Sequence, residues 1–220
     1  MKVIVFGATG MVGAGALREA LAAPEVDAVL SIGRRLSGVT DPKLRELVMA
    51  DLFDVASIES QLVGYDACLW AIGVSSMGLD EPAYARVTEE LTLTWARTLL
   101  RLNPGLSFCY CSAGGAGGAG MWARVRRRVE GALKEMPFAH AGAVRPGFIR
   151  PGPGITSRTR AYQLGVVLLT PLFWLMPLLL RLAPFLFTTS ERLGRAMLRV
   201  TQGKADRFIL ESADINRVGA

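Results

Sequence analysis

Residues 1–15 constrain the fold more than any other stretch of this chain. Lys2 to Phe6 is an apolar, β-branched run without a break, the pattern of a strand buried on both faces. Gly7, Gly10 and Gly13 follow at the spacing G-x-x-G-x-x-G, and residues 14–23 are rich in Ala and Leu and so favour a helix. Strand, tight glycine turn and helix together make a phosphate cradle. The helix N-terminus presents unpaired N–H groups and partial positive charge, and glycine lets a pyrophosphate approach the backbone. The flanking strand and helix, more than the spacing, make the motif specific. Gly7, Thr9, Gly10, Met11, Val12 and Gly13 are its candidate pyrophosphate contacts.

The overall charge agrees with an anionic ligand. A net charge of +6 and a pI near 9.6 suit a dinucleotide phosphate, an acidic lipid face or nucleic acid, without choosing among them. With 51% apolar and 20% charged residues, 220 residues form one domain with room for a small lobe, and long disordered regions are excluded. Cys68, Cys109 and Cys111 read as buried thiols in a reducing compartment. Cys109 and Cys111 lie two apart in a strand, on one face, a poor geometry for a disulfide between them. The N-terminal apolar run is too short for a signal peptide, so the expected location is cytoplasmic.

Strands and helices then alternate, which implies a Rossmann-type α/β fold with a doubly wound parallel sheet. The second strand, 26–32, runs into Gly33, Arg34 and Arg35. An NAD site usually places an acid near this point for the adenosine ribose, and here two guanidiniums stand instead. Guanidinium suits a 2′-phosphate, so NADP is expected over NAD; the competing reading is a solvated basic turn. A third strand at 47–50 ends in Asp51 and Leu52. Asp51 either accepts from the adenine amino group, with Leu52 covering the base, or caps the next helix. The fourth strand, 66–73, ends in Ala71, Ile72 and Gly73, where a cofactor ribose would approach the backbone. Residues 80–101 form an amphipathic helix whose Tyr84 and Trp95 read as core or interface residues.

The fifth strand, 106–111, ends at Ser112, and residues 113–120 contain only Gly and Ala. That run holds a formal G-x-G-x-x-G from Gly115 to Gly120, but its composition makes it a loop beside the active-site mouth. On the helix 122–136, Arg124, Arg126, Arg127 and Arg128 wrap around more than one face, a solvated or partner-facing surface. Without an aromatic platform or recognition motif, nucleic acid is not an expected partner. His140 falls in a sixth strand, 138–144, and reads as core.

Residues 145–154 break regular structure. They set the expected boundary between a nucleotide-binding core, 1–150, and a small, mainly helical C-terminal lobe, 151–220. Residues 161–187 are strongly apolar but interrupted by Pro171, Pro177 and Pro184, a poor membrane span. The open readings are a lid over a small apolar substrate, a homodimer contact shared with residues 84–100, or a peripheral membrane contact. Residues 188–200 read as a closing helix with Ser190 as N-cap, and 208–211 as a last strand.

With the Gly7–Gly13 turn, Gly33-Arg34-Arg35, Asp51-Leu52, Ser112 and Arg145-Pro146-Gly147 in this order, the chain resembles the atypical short-chain dehydrogenase/reductases. More narrowly it resembles their small NAD(P)H-binding, epimerase/dehydratase-like branch. The resemblance implies an oxidoreductase acting on a carbonyl or alcohol, with Ser112 orienting the substrate oxygen. It also implies that Pro146, Gly147 and Phe148 wall the nicotinamide pocket. The family's Tyr-x-x-x-Lys pair uses one helix face for proton transfer and ribose binding. Trp122 and Arg126 stand in its place. Arg126 can still hold a ribose or phosphate, whereas an indole has no proton to exchange near neutral pH. Tyr110 and Tyr162 are the nearby tyrosines in sequence. The alternative is a non-catalytic NADP(H)-binding sensor or partner-binding protein.

Overall fold

The computed structural model describes residues 1–152 and 181–220. β1 (Lys2–Phe6), β2 (Ala28–Gly33), β3 (Leu44–Val48), β4 (Ala67–Trp70), β5 (Ser107–Cys111), β6 (Ala141–Arg145) and a late strand, Ile209–Glu211, form one seven-stranded sheet. Its order is β3-β2-β1-β4-β5-β6 and then the late strand, and every pairing is parallel. The chain leaves β1 toward β2 and β3 and returns on β1's other side as β4. In such doubly wound sheets ligands bind at this reversal, outside the carboxyl ends of the strands. The sheet of the expected Rossmann-type α/β fold is present.

Side chains alternate across the strands, and each face has its own helix layer. On one face Val3, Val5, Leu69 and Cys109 pack against Ala16 and Leu17 of α1 (Met11–Ala22) and against Leu193 and Met197 of a C-terminal helix, Ser190–Thr201. On the other, Ile4, Phe6, Trp70 and Phe108 meet Trp95 and Leu99 of α3 (Leu91–Leu102) and Leu133 of α4 (Met121–Glu135). Phe6 lies between Trp70 and Trp95, with ring centroids 4.5 and 4.6 Å away. Each such buried aromatic contributes about 1.5–3 kcal/mol through apolar burial.

Several expected elements shift. The helix expected over 80–101 is three pieces: α2 (Glu81–Ala85), one π turn (Arg86–Glu90) and α3, with the Leu91 N–H reaching back to the Arg86 carbonyl. Asp80 caps α2 by accepting from the Ala83 N–H at 2.9 Å. β3 begins three residues before the expected 47–50. It is an edge strand with Arg45 exposed, so it lacks the unbroken apolar run that marks a buried strand. The cap of Ser190–Thr201 is Thr189, whose hydroxyl accepts from the Arg192 N–H, and not Ser190. His140 lies before β6, exposed, with its ring over Gly203, so it is neither a strand nor a core residue.

The described part of 151–220 is not a separate lobe. Its strand Ile209–Glu211 pairs with β6, and its helix Ser190–Thr201 covers the sheet beside α1. A short parallel pair, β7 (Phe148–Arg150) with β8 (Phe187–Thr189), lies outside the main sheet. The terminal helix Ser212–Val218 carries a Glu211–Asp214 capping box. The apolar stretch 153–180, with the lid, dimer and membrane readings placed on it, lies outside the described residues. Among the described residues no helix is long and apolar enough to cross a membrane.

α1 and the Ser190–Thr201 helix meet backbone to backbone. A Cβ at Gly15 would lie 2.6 Å from the Ser190 carbonyl oxygen, and one at Gly194 would lie 2.8 Å from that of Gly15. Neither backbone can yield as a flexible side chain would. Gly194→Val is therefore expected to destabilise the protein by about 1–3 kcal/mol through overpacking, lowering Tm by roughly 2–10 °C. Gly131, in α4, has open space around its Cβ position, so Gly131→Ala is expected to raise stability by about 0.5–1 kcal/mol. Thermal melts of both variants check the pair.

Candidate functional site

The cleft opens at the carboxyl ends of β1 to β5 and has a volume of about 630 Å³, within the usual range for small-ligand sites. Its floor is the glycine turn. Gly7 has φ +80°, and a Cβ there would lie 2.5 Å from the Ala71 carbonyl oxygen. The Gly10 N–H donates to the Gly7 carbonyl at 2.8 Å. A Cβ at Gly13 would overlap that same carbonyl. α1 thus rests against the strand end, with no side-chain cap and no acid in its first turn to compete with an anion.

Gly7, Thr9, Gly10, Met11 and Val12 line the cleft, while Gly13 lies behind it as a spacer. From β2 come Ser31, Gly33, Arg34 and Arg35. Both arginines are exposed, and neither has an ion-pair partner among the described residues. Ser37, just beyond them, is anchored by its N–H to Glu46 at 2.8 Å. After β3, Ala50 and Leu52 line the cleft and Asp51 does not. The Asp51 carboxylate accepts from the Phe53 N–H at 2.9 Å, closing its own turn. Asp51 does not cap the following 3-10 helix, Val55–Gln61, which starts after Asp54.

Ala71, Ile72 and Gly73 after β4, and Cys111 and Ser112 after β5, complete the inner wall with Arg126 of α4. Ser112 is buried, and its Oγ has no hydrogen-bond partner among the described residues. Arg126 donates through Nε to Tyr84 Oη at 2.9 Å and through Nη1 to the Cys111 carbonyl at 3.3 Å and Tyr110 Oη at 3.4 Å. Burial pushes the Tyr110 phenol well above its ordinary pKa, against the opposing pull of Arg126.

Pro146, Gly147 and Phe148 do not line this cleft among the described residues. The Pro146 carbonyl accepts from the Gly114 N–H at 2.8 Å, and the Gly147 N–H donates to Ser212 Oγ at 2.7 Å. The Phe148 ring meets Phe187 edge-on at 5.9 Å. Trp122 does not reach the cleft either. Its ring packs against loop 113–120, 3.2 Å from the Cβ position of Gly120 and 3.5 Å from that of Gly115.

The other arginines of α4 are not a free basic surface. Arg124 pairs with Glu81 at 2.8 Å and also holds the Ala119 carbonyl, while Arg128 joins Glu81 and Glu89. Arg127 donates to the Ala116 and Gly118 carbonyls. Together they clamp the glycine loop and the start of α2.

Ala8, Ser31, Gly33, Ala50 and Cys111 also line the cleft but were not picked out as site residues. Ala8 and Gly33 lie inside motifs already read, and of the other three only Ser31, a polar residue in an apolar strand, gives a sequence signal. Trp95 acts on the site at one remove, since its indole N–H donates to the Leu52 carbonyl at 2.8 Å. Nothing in the local sequence reveals that bond.

No family model matches the sequence, and no match is found among curated proteins. The fold has many solved relatives. A short-chain dehydrogenase family protein from Francisella tularensis superposes with TM-score 0.67 at 11% identity, over 92% of this chain and 91% of that one. A putative 2-deoxy-d-gluconate 3-dehydrogenase from Agrobacterium tumefaciens, with bound NADP, gives 0.66 at 14%, over 97% and 96%. A UDP-N-acetylglucosamine 4-epimerase from Methanobrevibacter ruminantium, in complex with UDP-N-acetylmuramic acid, gives 0.66 at 14%, over 94% and 74%. The chain thus has the fold shared by short-chain dehydrogenases and the related epimerases.

The three cysteines are free and buried, and no cluster among the described residues could hold a metal. Burial pushes the Cys111 thiol up to about 11, with Arg126 opposing the shift, and burial raises Cys68 and Cys109 well above their ordinary value. At pH 8 all three are protonated thiols rather than nucleophilic thiolates. Iodoacetamide at pH 8 is therefore expected to leave the native protein unmodified and to label three cysteines in denaturant, as intact-mass spectrometry would show.

Proposed function

We propose that the cleft binds NADP(H) and that the protein is an oxidoreductase of the short-chain dehydrogenase/reductase type. The observation that carries this reading is the glycine floor. Gly7, Gly10 and Gly13 bring α1's uncapped N-terminus against the cleft, where added side chains would close it. The N–H groups of the turn would take the pyrophosphate, with Thr9, Met11 and Val12 around it. Arg34 and Arg35 are cations without local carboxylates, suited to a 2′-phosphate. Leu52, steadied by Trp95, would cover the adenine, and Ala71 to Gly73 would face the ribose. The bound NADP found in the Agrobacterium relative supports the same choice.

Bound NADPH would supply a hydride for a carbonyl carbon. The chain's own part is to hold an oxygen of the substrate through Ser112, whose Oγ has no hydrogen-bond partner among the described residues. Arg126 would place its guanidinium beside the nicotinamide ribose. No tyrosine lines the cleft among the described residues, and Tyr162 lies outside them. Water or the substrate itself would then return the proton.

The missing phenol also favours a second reading, a binding or sensor protein that holds NADP(H) without turnover. Trp122 is committed to the glycine loop, so replacing its side chain by a donor requires repacking that loop.

The two readings share one test of the cofactor. Fluorescence titration is expected to show NADPH binding more tightly than NADH. Replacing Arg34 and Arg35 together with Ser should weaken NADPH by about ten- to a hundredfold, the scale of charge-assisted hydrogen bonds. NADH affinity should hardly change. Equal affinities in the parent protein would remove the arginines from the 2′-phosphate role. Binding of neither would end the cofactor reading.

A further inference from the structure

Arg126 is a buried cation with no carboxylate partner among the described residues. It is 8% exposed, on the inward face of α4 between Ala123 and Val129. Its neighbours on the helix differ. Arg124 and Arg128 each reach a carboxylate, and Arg145 of β6 is held by both Glu130 and Glu211. Glu130 lies one turn beyond Arg126, but Arg145 grips both its oxygens, at 2.9 and 2.6 Å. Arg126 is left with two phenols and one carbonyl, all neutral. Guanidinium stays charged at every working pH. Burying it without an opposite charge is costly, so a missing anion is the natural complement.

The free edge of the guanidinium faces the cleft. Nη2 makes no hydrogen bond among the described residues, and it lies 3.5 Å from the Cβ position of Gly73, a cleft residue. Nη1 holds the Cys111 carbonyl, which fixes the guanidinium next to Ser112. Ser112 is the second, independent observation: a buried hydroxyl with no partner, lining the same cleft.

The groups suited to phosphate are elsewhere, on the turn after β1 and at Arg34 and Arg35 after β2. A ribose hydroxyl beside Arg126 would accept a hydrogen bond but leave the charge uncompensated. We infer that Arg126 Nη2 and Ser112 Oγ form an anion subsite for a carboxylate of the substrate, each donor taking one oxygen. One guanidinium edge and one hydroxyl match the two oxygens of a monoanion, whereas a phosphate dianion calls for more donors. This rests on the proposed function only in placing substrate at this end of the cleft. It makes the substrate an apolar compound with an acidic head group.

The test is calorimetric titration of the protein with hexanoate and with hexanamide, each with and without saturating NADPH. Hexanoate is expected to bind about ten- to a hundredfold more tightly than the amide, the range of a charge-assisted hydrogen bond. The preference should persist with NADPH bound. Arg126→Gln should abolish it and Ser112→Ala should weaken it several-fold. If Arg126→Gln does not fold, Arg126→Lys and Ser112→Ala carry the comparison. Equal affinities for acid and amide would overturn the subsite. So would stoichiometric displacement of hexanoate by NADPH, which would assign Arg126 to the cofactor. Acid preference without any NADPH binding would leave the subsite standing and end the cofactor reading. NADPH binding without acid preference would do the reverse.

Discussion

The carbonyl of Gly7 is the contact on which the rest of the cleft depends. The Gly10 N–H bonds to it, Gly13 leaves no room between it and α1, and Gly7 itself is pressed against the carbonyl end of β4. Three chain segments therefore meet with almost no side-chain volume between them. That closeness puts the start of α1 beside the switch in strand order and opens a cleft at the carboxyl edge. Within α1 itself a second glycine contact holds the helix, Gly15 against the Ser190–Thr201 helix. One helix thereby ties the N-terminal turn to a segment nearly two hundred residues away, which makes the C-terminal helix part of the core.

What could be read from the sequence divides along the range of the forces involved. β1 and the turn were legible because burial on both faces and glycine spacing are local signals. β3 was placed late because an edge strand needs no continuous apolar run. The π turn at Arg86–Glu90 adds no residue type that composition could reveal. The described part of 151–220 joins the main sheet, because the seam at residues 145–154 marked a break in regular structure and not the end of the sheet. In the site, the turn, Arg34, Arg35 and Ser112 were legible from position along the strands. Asp51, Pro146, Gly147 and Phe148 were not excluded by anything local. They do not line the cleft among the described residues, and they make contacts elsewhere with partners as near as Phe53 and as far as Ser212.

The arginines of α4 show why charge counted along a helix misleads. Arg124, Arg127 and Arg128 look like a basic face in sequence, yet their partners are Glu81, Glu89 and the carbonyls of the glycine loop. The loop has few side chains with which to hold itself, and these cations supply the order that its composition removes. Trp122 belongs to the same arrangement, because its ring fills space that only glycines at 115 and 120 leave. Trp122 is thus part of a packing unit.

That packing changes what the inner wall can do. Phenols remain close by, but Tyr84 and Tyr110 stand behind Arg126 and spend their oxygens on its guanidinium. A guanidinium cannot pass on a proton near neutral pH, so neither phenol can act through it as an acid. It can, however, present fixed positive charge in a low-dielectric pocket, where charge interactions are stronger than in water. Ser112 adds a hydroxyl to the same cleft wall, and the Cys111 carbonyl holds one end of the guanidinium. An inner wall built this way suits a negative oxygen better than it suits proton transfer.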